Sequence, residues 1–296
     1  METKQQKEAL SYFTKQAKEW GDKARITTQD EVNIIQQRND YVLRVIGKRD
    51  KTEITLDVGC GTGDLVHEIA RRGIRAIGVD FAPEMIRIAS DNAKRSKSKL
   101  AEFVCESIFD FDFRNRMFDV VSANGFIEYI SFDQLNKFLE ISFLLLKKGG
   151  SLVLGSRNRL FDAFSSNEFT SYEIIEGAIN SILLESIALV KGMSMDKLAE
   201  MEPAPLPKVD QEQSNTGIDV SVRYQYTPVQ LIRLLTEKGF EPVHVAPIHI
   251  HGVVPRFKDK FPAIHTIVSN LLQTYADENR ELLPYASSFQ IEARRS

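Results

Sequence analysis

The sequence has little of several features that mark special environments. It contains only two cysteines, Cys60 and Cys105, which are too few for a disulfide framework, and no cysteine–histidine spacing that is typical of a zinc site. No apolar run reaches the roughly 18 residues of a membrane span, since Glu185 interrupts the best candidate. The amino terminus is polar and of mixed charge, which does not fit a secretory signal. These absences predict a cytoplasmic protein with no metal site and no transmembrane segment.

A strong excess of charge of either sign is also missing. The chain has 38 basic and 41 acidic residues, a formal net charge of −3 at pH 7. Binding to a nucleic-acid backbone requires clustered positive charge, so this balance predicts no nucleic-acid partner. A hydrophobic fraction of 43% with 27% charged residues is typical of an ordinary globular protein.

Apolar periodicity gives an alternating order of elements. Two helices are expected over residues 5–20 and 31–47, and short apolar strands then alternate with amphipathic helices over 54–156 and again from 227 onwards. This order predicts an α/β fold with a parallel sheet and helices on both of its faces. We divide the chain into four parts: an N-terminal helical cap (1–50), a ligand-binding core (51–156), a cap insertion that holds the second substrate (157–226), and the C-terminal part of the core sheet (227–296).

The stretch "ITLDVGCGTGDL" places Gly59, Gly61 and Gly63 at alternate positions between a predicted strand and a predicted helix. Glycines there allow a tight turn and a close approach of the backbone to a ligand. The next strand ends in Asp80, where an acid can accept hydrogen bonds from ribose hydroxyls. The spacing G-x-G-x-G differs from the dinucleotide pattern G-x-G-x-x-G and from a phosphate-binding P-loop. The stretch therefore predicts an adenosine-type ligand.

The chain resembles the class I S-adenosylmethionine-dependent methyltransferases in five blocks. The blocks are LDVGCGTGDL (56–65), GVDFAPEMIRIA (78–89), FVCESIFDFDF (103–113), FDVVSANGFIEYI (118–130) and LLKKGGSLVLGS (145–156). The resemblance implies a Rossmann-like sheet of seven strands whose last strand is antiparallel, and S-adenosylmethionine as the cofactor.

The resemblance also implies which residues bind the cofactor. They are Asp57, Gly59, Cys60, Gly61 and Gly63 at the methionine end, Asp80 at the ribose, Phe81 and Met85 near the adenine, Glu106, Ser107 and Ile108 around its edge, and Asn124 and Gly125 beside the methyl-bearing sulfur. Structural alternatives stay open for Met85 as a core residue and for Glu106 as a solvated strand end. Cys60 is expected to fill space as a small buried residue and not to act as a nucleophile.

The segment after the fourth strand narrows the acceptor class. "SANG" lacks the proline-aromatic box of many amino methyltransferases and the acids of metal-dependent catechol-type enzymes. Quinone-type and many small-molecule relatives have L-E-H-V next, where this chain has "IEYI" with Tyr129 in place of the histidine. Tyr129 is therefore only a weak candidate for the base that removes the acceptor's proton.

Other candidates for the acceptor site come from later loops. His249 and His251 lie at the end of a predicted strand and share a face by period-two alternation, which makes them candidate bases. The candidate residues for binding the acceptor are Arg157, Arg159, Tyr224 and Tyr226. Structural roles remain possible for all six side chains.

We predict a methyltransferase that acts on a small-molecule or glycan-like acceptor, at oxygen. Three alternatives remain open: N-methylation of a small amine, methylation of RNA, and a non-catalytic module that binds adenosylmethionine. The oligomeric state is left open.

Overall fold

The computed structural model describes residues 4–24, 31–206 and 224–296. One sheet has the order β3-β2-β1-β4-β5-β7-β6. Its strands are β1 (Ile54–Val58), β2 (Arg75–Asp80), β3 (Ala101–Cys105), β4 (Phe118–Asn124), β5 (Leu146–Arg157), β6 (Phe240–Ile250) and β7 (Ala286–Arg295). Neighbouring strands pair in parallel except around β7, which is antiparallel to both β5 and β6. The predicted seven-stranded sheet with an antiparallel last strand is confirmed.

Helices cover both faces of the sheet and its carboxyl edge. They are α1 (Lys4–Ala24), α2 (Ile34–Gly47), α3 (Asp64–Arg71), α4 (Pro83–Ser96), α5 (Phe132–Leu145), α6 (Leu160–Phe164), α7 (Glu168–Ile175), α8 (Ile179–Val190), α9 (Met195–Glu200), α10 (Pro228–Glu237) and α11 (Pro262–Gln273). None of the helices among the described residues is both long and apolar enough to span a bilayer.

The central strands are buried on both faces, because helices lie above and below them. Leu56 in β1, Val121 in β4 and Leu152 in β5 have no exposed surface. Strand β5 begins at Leu146, which pairs with Phe118 of β4. Continuous apolar strands of this kind are typical of parallel sheets whose two faces are both covered.

The strand order reverses direction between β1 and β4. In open α/β sheets, ligands bind at the carboxyl ends of the strands beside such a reversal. Helix α1 covers this position, because Ala17 packs in one apolar cluster with Ala82 and Met85 of the second βα unit. Gly21 of α1 also lies near Thr62, to which an added Cβ would be 3.4 Å distant. The fold thus places the glycine loop under the N-terminal helix.

Much of the segment after β5 is helical and packed. Leu160, Ile182, Leu189 and Leu198, from α6, α8 and α9, are fully buried in the same apolar core as the sheet. Residues 207–223, which belong to the predicted cap insertion (157–226), lie outside the described residues.

Candidate active site

A cavity of about 730 Å³ lies at the carboxyl edge of the sheet and is lined by residues from α1 and α2 and from loops after six strands. Ligand sites of small-molecule enzymes have this size. Its charged walls are divided along the sheet. The acidic end, on the side of β1, β2 and β3, contains Asp57, Asp64, Asp80 and Glu106; the basic end contains Arg38, Arg157 and Lys258 together with the acids Glu128 and Asp162. Lys23 and Glu31 also line the cavity.

Asp80 is fixed at the end of β2 by the backbone around it. Its Oδ2 accepts a hydrogen bond from the Gly61 amide at 2.9 Å, and its Oδ1 accepts one from the Ala82 amide at 2.9 Å. Burial nevertheless raises the pKa of this carboxyl. Each oxygen keeps acceptor capacity beyond its single backbone bond, since a carboxylate offers about four lone-pair sites.

Asp57 is the second buried carboxyl at the acidic end. Its Oδ1 accepts a hydrogen bond of 2.7 Å from the Ser122 hydroxyl. Burial raises the pKa of Asp57 to about 7, and the nearby charge of Asp80 adds to this effect. A bound cation would favour the ionised form and lower this pKa.

The three glycines of the loop have different roles. All three have positive φ. Gly59 and Gly61 line the cavity, and a Cβ added to Gly61 would meet only the Met85 sulfur, at 3.9 Å. Gly63 is not among the lining residues, and a Cβ there would lie 2.5 Å from the Phe103 ring. The assignment of Gly63 to the cofactor is therefore corrected, because this glycine permits close packing of α3 against β3.

The remaining residues predicted at the cofactor all reach the cavity. They are Cys60, Phe81, Met85, Glu106, Ser107, Ile108, Asn124 and Gly125. Cys60 also packs against β2, since a Cβ on Gly78 would lie 2.7 Å from its sulfur. Burial raises the pKa of the Cys60 thiol, which suits a space-filling role and not a nucleophile.

Arg38 lies directly over the loop after β4. A Cβ added to Gly125 would be 2.6 Å from its Nη1. Its Nη2 donates to the Ser288 hydroxyl at 2.9 Å and to Glu128 Oε1 at 3.4 Å. Arg157 donates from Nε to Glu128 Oε2 at 3.2 Å. Two guanidinium groups thus share the buried carboxylate of Glu128, while burial raises the pKa of the neighbouring Asp162 well above its usual value. With Asp162 protonated, a surplus positive charge is left at the cavity wall.

His249 and His251 lie side by side at the basic end, with ring centroids 4.5 Å apart. His249 is hydrogen-bonded through Nδ1 to Ser287 at 2.8 Å, and its Nε2 lies 3.4 Å from Nε2 of buried His265. Both ring nitrogens of His251 lack a hydrogen-bond partner within the described part of the chain. Burial lowers the pKa of His249, and it lowers that of His251 to about 3.

His251 is therefore neutral at physiological pH, and its lowered pKa makes it a weak base in the absence of a ligand. Within residues 4–24, 31–206 and 224–296, no group of three or more histidine, cysteine or acidic residues has a geometry suited to a metal ion.

Three residues predicted at the acceptor lie elsewhere. Arg159 is buried and donates from Nε and Nη2 to the two Glu173 carboxylate oxygens, each at 2.6 Å. Tyr224 and Tyr226 are buried in the main apolar core, whereas Gln225 between them lines the cavity. Successive side chains of an extended segment point to opposite sides. Because Gln225 points into the cavity, Tyr224 and Tyr226 on either side of it point away, and the prediction chose the wrong side of the segment. Arg157 and Tyr129 do line the cavity.

Several cavity residues were absent from the prediction. Arg38, Asn39 and Ser288 reach the site from segments that carry no recognisable motif, and Asp162 lies in a short helix after β5. Glu128 was visible as the acid of "IEYI", next to Tyr129, and this position is the one signal that could have indicated it.

The sequence of this chain is similar to the sequences of known methyltransferases. Over residues 49–215, more than half of its length, the chain matches a family described as a methyltransferase domain. The chain belongs to this methyltransferase family. Among curated members, the ubiquinone biosynthesis O-methyltransferase of Pelagibacter ubique (strain HTCC1062) is 28% identical over 158 residues, which are 51% of this chain and 64% of that protein. The match spans less than two thirds of that enzyme's length.

Solved structures are similar in fold to nearly the whole chain. Magnesium protoporphyrin IX methyltransferase (ChlM) from Synechocystis PCC 6803, with bound SAH, has a TM-score of 0.56 at 14% identity and covers 97% of this chain and 98% of that one. The [4+2]-cyclase SpnF has a TM-score of 0.60 at 16% identity and covers 99% and 97%. At these identities the likeness shows the fold alone, and one of the two neighbours is a cyclase.

Proposed function

We propose that this chain transfers a methyl group from S-adenosylmethionine to an oxygen atom of a small acceptor that binds as an anion. The division of charge along the cavity carries this proposal. Asp57, Asp64 and Asp80 surround the end at the glycine loop, whereas Arg38 and Arg157 line the other. A cationic and an anionic ligand would each find the opposite charge at its own end.

The acidic end fits the cofactor. Adenosylmethionine carries an ammonium group and a sulfonium, which favour buried carboxylates, while the pyrophosphate of a dinucleotide would be repelled by them. We assign Asp57 to the ammonium group and the fixed oxygens of Asp80 to the ribose hydroxyls. When bound, adenosylmethionine supplies an electrophilic methyl group on a positively charged sulfur.

The basic end fits an acceptor hydroxyl that must lose its proton. Arg38 and Arg157 stabilise the negative charge that develops on the oxygen, since fixed cations in a water-poor site act strongly on such charge. Glu128 holds both guanidinium groups in place. We assign His251 as the proton acceptor, because it lines the cavity and its ring nitrogens are unpaired among the described residues. Burial lowers its pKa, so it becomes an effective base only when a negatively charged acceptor beside it raises that pKa again.

The aromatic side chains of the cavity favour a ring-containing acceptor. Phe13, Trp20, Phe126, Phe161 and Phe169 are among its lining residues, and the centroid of the Phe161 ring lies 4.5 Å from that of the His251 ring at the basic end. An amine acceptor would bring positive charge towards the arginines, which argues against N-methylation. A glycan-like acceptor would stack on the same rings and stays within the proposal. We also propose a cytoplasmic location, because Cys60 and Cys105 are both free thiols and Cys105 is exposed.

The test is transfer of a labelled methyl group from adenosylmethionine to a panel of phenols, hydroxy acids, amines, carbohydrates and RNA. We expect hydroxyl compounds with an anionic form to be methylated. Arg157→Ala should abolish most of this turnover and leave adenosylhomocysteine affinity unchanged, while Arg116→Ala, outside the cavity, should change neither. Preferred methylation of amines, or failure to bind adenosylhomocysteine, would contradict the proposal.

A further inference from the structure

Helix α11 (Pro262–Gln273) is inverted: its polar side faces the protein and its apolar side faces outward. His265 and Ser269 are its buried residues, one turn apart. The Ser269 hydroxyl donates to the Ile250 carbonyl, and Gln273 donates from Nε2 to the Pro247 carbonyl at 3.0 Å. The polar side chains of His265, Ser269 and Gln273, at positions i, i+4 and i+8, thus all contact residues of β6.

The opposite face of α11 carries large apolar side chains. Ile264 is 52% exposed, Ile267 is 68% exposed and Leu271 is 56% exposed, at the i, i+3 and i+7 spacing of one helical face. Phe261 and Tyr275 extend the same exposed apolar character beyond each end of the helix. No charged residue occurs between positions 261 and 276. Exposed apolar patches of this kind mark interaction surfaces.

Positive charge lies immediately before this face. Arg256, Lys258 and Lys260 are exposed, with Asp259 as the one acid among them. Within the described part of the chain, no carboxylate forms an ion pair with any of the three. This local surplus contrasts with the net charge of −3 of the whole chain.

We propose that α11 and the basic segment 256–260 form a docking surface for an anionic lipid bilayer. An apolar helical face lying in the membrane interface and a neighbouring group of basic residues are the two signals that together give stable peripheral binding. A second copy of this chain fits less well. A second copy would bury the apolar face of α11, but this face has no charged residue and offers the basic segment no opposite charge, whereas an anionic lipid surface does.

The same segment borders the cavity. Pro255 and Lys258 are among its lining residues, and His265 of α11 contacts His249. A bilayer held against α11 would therefore lie beside the basic end of the cavity. This location implies that an amphiphilic acceptor could enter from the lipid side.

Vesicle binding by the full-length chain tests the proposal, and it needs neither cofactor nor acceptor. We expect co-sedimentation with vesicles of phosphatidylcholine and phosphatidylglycerol in a 7:3 ratio at low salt. Binding should be lost with pure phosphatidylcholine and weakened at high salt, because salt screens exposed charges. Failure of the proposed methyl transfer would leave this measurement unaffected.

Matched variants locate the surface. Ile267→Ser should lower vesicle partitioning roughly tenfold, as expected for one large apolar side chain. Leu144→Ser, at a site with the same 68% exposure on α5, should have no effect. Arg256→Gln with Lys260→Gln should lower it roughly thirtyfold, since each of the two basic residues near an anionic surface contributes about 1 kcal/mol. Arg95→Gln with Lys99→Gln is the charge control.

Three outcomes would overturn the proposal. They are no binding to anionic vesicles, an equal loss with the control variants, and a dimer in analytical ultracentrifugation that Ile267→Ser dissociates. The last outcome would make a second copy the occupant of this face.

Discussion

The two ends of the cavity are built in different ways. At the acidic end, backbone amides of Gly61 and Ala82 hold Asp80, and the parts come from one short βαβ unit. At the basic end, Arg38 and Arg157 are held by a shared carboxylate, Glu128, and come from distant segments. One end is rigid through its backbone and the other through side chains. The two ligands should therefore respond separately to substitutions, which the following predictions test.

The largest effect is expected from Gly61→Val. A valine side chain at this lining position projects into open space of the cavity and should abolish adenosylhomocysteine binding by steric exclusion. Gly73→Val is the control, because Gly73 also has a positive φ and nothing within 4 Å of an added Cβ, but lies outside the cavity. Calorimetry should show no binding for the first variant and full affinity for the second. Equal losses would mean that backbone strain, and not the ligand, accounts for the glycine.

Arg159 and Arg157 should separate stability from function. Arg159→Ala leaves the buried Glu173 carboxylate unpaired, a change that typically costs about 3–5 kcal/mol of unfolding free energy. Arg157 is only half-buried, so Arg157→Ala should cost less than about 1 kcal/mol. Urea unfolding followed by circular dichroism measures both. A stable Arg159→Ala variant with impaired turnover would restore Arg159 to the acceptor site.

Asp80→Ala should weaken adenosylhomocysteine binding by about 1.5–3 kcal/mol, the usual contribution of hydrogen bonds to a charged group. This corresponds to roughly a 10- to 150-fold higher Kd. The effect should be confined to the acidic end, so the acceptor specificity of residual turnover should not change. Asp110→Ala, at an exposed carboxylate outside the cavity, is the control. Unchanged affinity in a folded Asp80→Ala variant would contradict the assignment to the ribose.

The two ends also differ in how far the sequence predicts them. The glycine loop, Asp57 and Asp80 were predicted because one local motif carries them, with strand, turn and acid in fixed order. The basic end depends on contacts such as Arg38 with Ser288, 250 positions apart, which no local pattern contains. Long-range pairing of side chains is decided by packing, so periodicity alone cannot indicate it.

The errors after β5 have a similar origin. Arg157 and Arg159 are two positions apart, and both were predicted at the acceptor. In the structure, only Arg157 faces the cavity, because helix α6 begins at Leu160 and turns Arg159 towards Glu173 of α7. The backbone changes from strand to helix between Arg157 and Leu160, so the alternation of side chains that holds in the strand no longer applies at Arg159. The number of strands and the antiparallel direction of the last one, by contrast, followed from the family resemblance.

The smallest effect should be a proton released when the cofactor site fills. Asp57 has a pKa of about 7 in the folded protein, raised by burial from an ordinary value near 4. Below about pH 7, the carboxyl is therefore protonated before binding, and an ammonium group placed beside it favours ionisation. Adenosylhomocysteine affinity should accordingly rise with pH up to about pH 7, by at most tenfold per pH unit, and stay constant above it.

The raised pKa of Asp57 acts on folding stability in the opposite direction: ligand affinity rises with pH, whereas the stability of the native state falls. A carboxyl with a raised folded pKa stabilises the native state most below its unfolded pKa, and this contribution is lost as the pH rises from about 4 to about 7.

Calorimetry of adenosylhomocysteine binding at about pH 6, in two buffers with different ionisation enthalpies, would count the proton that binding releases. Asp57→Asn should remove the proton release and the pH dependence of affinity together. An affinity that is constant between about pH 5.5 and 7.5 would contradict the raised pKa of Asp57. An Asp57→Asn variant that still releases a proton would assign the release to Asp80 instead.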